Sequence, residues 1–345
     1  MTLRGSCFCK FTIYTISLPS SASFPLEGYY SHSEIHRRLL GFPTAFLFSV
    51  PSSHVTFLEP AISRREYTQG AITAVFCGVC GASLLNYVND VAEIHASTLD
   101  VEEVRKVVVP TAHVWCVDSS TLSAPARFID DGLPRFAREA GGVVWDLGGK
   151  GIRKDGARLD VLAGGCCCGG VRFEVERPPE DYLDNAVLKE WTKRGRRYTA
   201  GHCFCISCRQ ISGAPFWDWM FVPRMQIKFL EDSTIQSIVS LQSNERDVTR
   251  RFCGVCGTHL FFTTTTTDYM LWDVAIGALD SSPLPDDWLV WKYDPRDNED
   301  ARVELFCDKY INGWLPGRLS FEDFAAPFCG DLLQEVRKGL GMPLK

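Results

Sequence analysis

Alternation of apolar and polar residues with a period of two recurs along the chain and predicts strands. Val171-Arg172-Phe173-Glu174-Val175 puts two valines and a phenylalanine on one face and two charges on the other, as a half-buried strand requires. Residues 227–230 alternate more weakly. The run 216–222 is rich in aromatics and is closed by Pro223. Residues 259–262 follow a Gly-bearing cysteine knuckle, as the return strand of a hairpin would. The threonine run 263–267 reads as a strand end or edge without chemistry of its own. Helical periodicity is scarce: only 101–107 and 332–340 read as short helices. The pattern predicts an all-β protein.

The strand pattern occurs twice. Phe76-Cys77-Gly78-Val79-Cys80-Gly81 and Phe252-Cys253-Gly254-Val255-Cys256-Gly257 are identical over six residues. A Gly-x-Cys-x-Cys segment precedes each, carrying Cys7 and Cys9 in one half and Cys166 and Cys168 in the other. Ile94-His95-Ala96-Ser97-Thr98-Leu99-Asp100 and Val274-Ala275-Ile276-Gly277-Ala278-Leu279-Asp280 follow them. A fixed order of matched segments points to duplication. The middle of the repeat differs. Cys203, Cys205 and Cys208 of the second half stand where the first half has Ser31, Ser33 and His36, while an arginine (Arg209, Arg37) and a glycine (Gly213, Gly41) keep their places. The Gly-rich, charged stretch 141–160 reads as a linker. It divides a degenerate module (1–140) from a complete one (161–330), followed by a tail (331–345) with helical character.

Composition narrows the class. The 345 residues are 46% hydrophobic, with a formal net charge of −6, enough to bury two ordinary cores. The acidic balance argues against a general affinity for nucleic acid or an anionic membrane, and the basic run 193–197 reads as a solvated loop. No secretory signal or membrane span is visible, which predicts a cytoplasmic protein. In such a reducing compartment, 15 cysteines are expected to be metal ligands or reactive thiols rather than disulfides.

Residues i and i+2 of a strand share a face, so Cys-x-Cys presents two sulfurs side by side. Cys-x-x-Cys-Gly forms a tight knuckle. Together they make the four-thiolate shell of structural zinc: Cys7, Cys9, Cys77 and Cys80 in one half, and Cys166, Cys168, Cys253 and Cys256 in the other. Cys167 is expected to face away, and Cys116, Cys307 and Cys329 read as plain buried thiols. Cys203, Cys205 and Cys208 are left over. Three thiolates leave the fourth position of a zinc ion open, where an incoming thiol would be held as thiolate and a carbon–sulfur bond made or broken. The same trio also suits a second structural site closed by His202, or three reduced thiols without metal.

The ordered motifs G-x-C-x-C, C-x-C-x-x-C-R and F-C-x-x-C-G resemble the glutathione-dependent formaldehyde-activating enzyme family, which also includes centromere protein V. The resemblance covers 164–279 well and 5–99 in degenerate form. It implies two tandem zinc-binding β-sandwich modules of zinc-ribbon kind. It implies structural zinc in each, catalytic zinc on Cys203, Cys205 and Cys208, and carbon–sulfur lyase activity joining glutathione, as co-substrate, to formaldehyde or the reverse. Arg209 would then face an anionic group of the thiol, or sit in a surface ion pair. Trp217 and Trp219 read as core. Two departures stand out. Phe204 replaces a histidine common in the family, and the first module lacks the reactive ligands, so it is expected to keep only its structural zinc and to pack against the second. Other uses of the same cysteines are a non-catalytic interaction module and a thiol-redox or metal-handling protein.

Overall fold

The computed structural model describes residues 1–58, 63–100, 104–118, 132–145, 160–193, 195–203, 206–214, 217–230, 238–243, 248–264, 270–280 and 287–291. The expected helix at 332–340, with Cys307 and Cys329, lies outside them.

In the first half the strands are β1 Thr2–Ser6, β2 Ile13–Ser17, β3 Leu26–Ser31, β4 Ala45–Pro51, β5 Val55–Phe57, β6 Arg64–Gln69, β7 Ile72–Cys77, β8 Ser83–Val88, β9 Val91–His95 and β10 Val108–Val114. In the second half they are β11 Val161–Gly165, β12 Arg172–Glu176, β13 Thr192–Lys193, β14 Arg197–Cys203, β15 Trp217–Pro223, β16 Ile227–Phe229, β17 Ile238–Ser243, β18 Val248–Cys253, β19 His259–Thr264, β20 Leu271–Ala275 and β21 Leu289–Trp291. Short helices at Glu34–Leu40, Val104–Val107, Ala186–Trp191 and Ile206–Ser212 interrupt them.

The two halves have the same topology. A small sheet, β1-β2-β5 or β11-β12-β16, accompanies a large one, β10-β3-β4-β9-β8-β7-β6 or β13-β14-β15-β20-β19-β18-β17. In each, one strand joins the large sheet in parallel: β10 on β3, and β21 on β14. Even the irregularities repeat. The β7–β8 register slips at Val75/Phe76, and the β18–β19 register slips at the equivalent Arg251/Phe252. The register also fixes the alignment of the changed segment, because Ser31 pairs with Ala45 as Cys203 pairs with Trp217. The strand β13, with the helix Ala186–Trp191 before it, has no counterpart among the described residues of the first half.

In the second half the sheets are joined by aromatics. Phe173 and Phe229 of the small sheet lie 4.9 and 5.7 Å, centroid to centroid, from Phe261 of the large one. Such pairs add to the burial of their own area. Trp217 and Trp219 stack at 4.7 Å within the core, as expected for alternating aromatics.

Three of the helices among the described residues went unread in the sequence. The helix Glu34–Leu40 has Ser33 as its N-cap, accepting from the His36 amide, and Gly41 as a left-handed C-cap, the standard boundary residues. It occupies the place of Ile206–Ser212 in the other half. Both meet the opposite module. The helix Glu34–Leu40 packs on the turn Ile276–Ala278, and Ile206–Ser212 on the turn Ala96–Thr98. The halves are thus related as the subunits of a two-fold dimer.

The motif itself knits this interface. A Cβ on Gly81 would stand 2.7 Å from Cγ of Phe252, and one on Gly257 would stand 2.7 Å from Cγ of Phe76. Both glycines also have positive φ, 73° and 77°. The first and last residues of the six-residue repeat therefore interlock across the pseudo-two-fold axis, which only glycine allows. Arg37 adds a clamp. Its buried guanidinium donates to the carbonyls of Gly277 (2.8 Å) and Leu279 (2.6 Å) and pairs with Glu34. Arg38 reaches Asp280 at 2.5 Å, the Gly277 amide donates to Gly41, and Trp217 Nε1 donates to the Gly41 carbonyl at 3.2 Å.

Replacing Arg37 by methionine leaves the Gly277 and Leu279 carbonyls without their donor. Each unsatisfied group costs about 1–3 kcal/mol. Urea denaturation of Arg37→Met is expected to show a loss of about 2–5 kcal/mol. A change under about 0.5 kcal/mol, the range of an ordinary surface substitution, would show that the clamp contributes nothing.

His95 is buried against Gly213 of the second half, and neither ring nitrogen has a hydrogen-bond partner. Burial, reinforced by His36, pushes its pKa down to about 3. Burial and nearby Arg250 do the same to His259. Both rings are neutral when folded and protonate near pH 6.5 when unfolded. Stability therefore falls as pH drops below 6.5, by about 1.4 kcal/mol per pH unit for each ring. Between pH 6 and 5, with zinc present, His95→Gln should show a slope shallower by about one proton, measured as denaturation free energy against pH. An unchanged slope would contradict the assignment.

Candidate functional site: two sulfur clusters and a third set of thiols

The four predicted sulfurs of each half come together. Cys7, Cys9, Cys77 and Cys80 lie within 4.8 Å of one another, as do Cys166, Cys168, Cys253 and Cys256. Cys7 and Cys9 are 3.4 Å apart and Cys9 and Cys77 3.7 Å; Cys166–Cys168 and Cys168–Cys253 repeat those distances. All eight are free thiols. A tetrahedron of sulfurs about 2.3 Å from a zinc ion has edges of about 3.8 Å. The spacing and the all-thiol donor set fit that ion.

The local chain explains the convergence. Each Cys-x-Cys lies in the turn after the first strand, not within it as strand periodicity suggested. The turn closes through Lys10 N to Cys7 O (3.1 Å) and, in the second half, Gly169 N to Cys166 O (3.1 Å). The residue just before the next strand then sends its amide to sulfur, Thr12 N to Cys7 Sγ at 3.2 Å and Val171 N to Cys166 Sγ at 3.1 Å. The knuckles close in the same way in both halves, Gly81 N to Cys77 O (2.7 Å) and Gly257 N to Cys253 O (2.8 Å). Hydrogen bonds from Cys166 and Cys253 draw the Cys168 thiol down to about 7. Cys167 points elsewhere, donating to Gln69 of the first half at 2.7 Å. Cys116 is a buried thiol pushed up to about 11 by burial.

The remaining thiols sit at a junction of elements. Cys203 ends β14, and Cys208 is buried in the helix Ile206–Ser212. Cys205 and Phe204 lie outside the described residues. Beside Cys208 is a residue that the sequence reading passed over. Arg250 is 3% exposed, and its Nη2 donates to Ser207 Oγ (2.9 Å) and Cys208 Sγ (3.3 Å). The signal that would have found it is strand parity, since Arg250 shares a face of β18 with the buried Phe252. Arg209 lies on the helix that meets the turn Ala96–Thr98, in the position where its counterpart Arg37 clamps the modules.

The same place in the first half is rebuilt in oxygen and nitrogen. Ser31 Oγ and His36 Nδ1 are hydrogen-bonded at 2.7 Å, His36 Nε2 is 3.3 Å from Glu93, and Tyr29 donates to Glu93 at 2.8 Å. Burial works to raise the Glu93 pKa, but His36 and Tyr29 outweigh it and hold the carboxyl below its ordinary value. No thiol remains there.

The family model described as "glutathione-dependent formaldehyde-activating enzyme" matches residues 2–118 and again 161–293. The chain belongs to that family. It carries two copies of the family's module, and the break between the matches falls within the stretch that separates the two sets of strands. No functionally curated relative matches the chain. Among solved structures, a crystal structure of a Rhodobacter sphaeroides protein is similar at 19% identity and a TM-score of 0.26, covering 37% of this chain and 98% of that one. Among the described residues, no helix is long and apolar enough to cross a membrane.

For a family member with two such clusters, removing one sulfur should cost metal and fold together. Cys77→Ser and Cys253→Ser are each expected to lose one tightly held zinc and to lower the melting temperature by more than 10 °C, read by metal analysis and calorimetry. Full zinc content in either variant would show that its cluster is not a metal site.

Proposed function

We propose that the chain is a zinc-dependent carbon–sulfur lyase whose chemistry lies in the second half, with Cys203, Cys205 and Cys208 holding a second kind of zinc and a glutathione adduct of formaldehyde, or a related thiol conjugate, as substrate. The observation that carries this reading is the asymmetry of an otherwise faithful repeat. Both halves keep the topology and the four-sulfur cluster, but only the second keeps thiols at the changed segment, and only there does a buried cation face them. A purely structural duplication would have no use for that difference.

The reaction needs a thiol and a carbonyl carbon. The sulfur forms a bond to carbon while its proton passes to the carbonyl oxygen, giving a hydroxymethyl thioether; the reverse step returns both. A zinc ion with one open position supplies a low-pKa site for the incoming thiol. The chain's own part is to place the ligands. Cys203 stands at the end of β14 opposite Trp217 of β15, which stacks on Trp219, and Cys208 is held by the helix. Arg209 is the proposed contact for an anionic group of the substrate. The first half contributes support, because its turn Ala96–Thr98 carries the helix on which Cys208 sits.

The purified chain is expected to contain three zinc ions, two tight and one labile. Cys208→Ser should lose the labile ion and at least 100-fold in the rate of S-hydroxymethylglutathione formation while keeping the other two and a normal melting curve. A variant with full activity, or one that unfolds as Cys253→Ser does, would end the proposal.

A further inference from the structure

The chain contains its own control for the reactive site. Across the repeat, Thr73-Ala74-Val75-Phe76-Cys77 aligns with Thr249-Arg250-Arg251-Phe252-Cys253, and the strand registers agree: Ala74 pairs with Asn86 as Arg250 pairs with Phe262. The half without the reactive thiols has alanine where the half with them has Arg250. We infer that Arg250 is a positioning residue for the reactive site, holding the Cys208 sulfur and offsetting the negative charge that thiolates and a thiol substrate would gather there. This inference rests on the reading that Cys208 is a metal ligand.

The geometry supports a specific role. Guanidinium only donates, so the sulfur at 3.3 Å is the acceptor. The same Nη2 is 2.9 Å from Ser207 Oγ and so ties down the first turn of the helix. The guanidinium lies against two rings, with Cζ 4.8 Å from the Phe262 centroid and 6.0 Å from that of Trp217. These rings favour the cation and leave it buried. Arg251, the next residue, points to the other side of the strand, stacking on Trp272 and donating to Thr263. Strand parity thus separates a structural arginine from one aimed at the site. Groups of this kind that touch a ligand rather than the metal commonly change metal affinity by about 10–100-fold.

The test uses the full-length chain and two variants, Arg250→Met and Arg250→Lys. Zinc retention is read by chelator competition. Cobalt is then exchanged into the labile site and its thiolate-to-metal absorption is recorded. Arg250→Met is expected to weaken the labile ion by at least about 10-fold and to move the absorption to longer wavelength, because a hydrogen bond lowers the energy of the sulfur lone pair. The two tight ions should stay. Arg250→Lys, which keeps the charge but loses the fork, should fall between, and it decides the matter if the methionine variant does not fold. Unchanged affinity and an unmoved band in the folded variant would overturn the inference while leaving the zinc reading intact. A wild-type chain that binds only two zinc ions would overturn both.

Discussion

The convergence of four sulfurs in each half is the constraint on which the architecture depends. The ligands come from segments far apart in the chain: 68 residues separate Cys9 from Cys77, and 85 separate Cys168 from Cys253. An ion at that point joins the small sheet to the large one across a loop that costs entropy to close. It also fixes where the knuckle lies, and with it the Phe76 and Phe252 rings and the Gly81 and Gly257 backbones that lock the halves together. The same six residues supply the metal ligands in their middle and the interface contacts at their two ends. That is a physical reason for the segment to be identical in both copies when so much around it has changed.

With the scaffold held in this way, the changed segment is free to diverge. In the second half it carries thiols and faces a guanidinium. In the first it carries a serine hydrogen-bonded to a histidine, with the half-buried Glu93 of β9 3.3 Å from that histidine. The difference is coherent: positions that carry thiols in the second half carry hydroxyl and imidazole groups in the first, and the fold around them has the same strand order. The helix that bears the repeat-position arginine meets the other module in both halves.

Much of this was legible in the sequence. Period-two runs marked the strands, the doubled motif marked the two modules, and ligand spacing picked out the eight sulfurs that meet. The parts that were not legible have particular causes. The helix Glu34–Leu40 was signalled by Ser33 and Gly41 at its ends, but seven residues hold too few periods to show an apolar stripe. The Cys-x-Cys pairs were assigned to strands because two sulfurs on alternate residues suggest a pleat, whereas a turn brings them equally close. Arg37 and Arg250 look like surface charges in a sequence. Their partners are carbonyls 240 and 242 residues away and a sulfur 42 residues away; nothing local announces the first, and only strand parity hints at the second.

The reciprocal seating of each helix on the other module has a consequence for how the molecule behaves on dilution. Two separate subunits joined by such a surface would come apart once their concentration fell below the dissociation constant. Here a covalent tether makes the contact intramolecular, whatever the bulk solution holds. The buttress under the Cys208 helix is therefore present in a single molecule as surely as in a crowded one. The two faces of the contact, encoded separately, are also free to change one at a time, which identical subunits can never do.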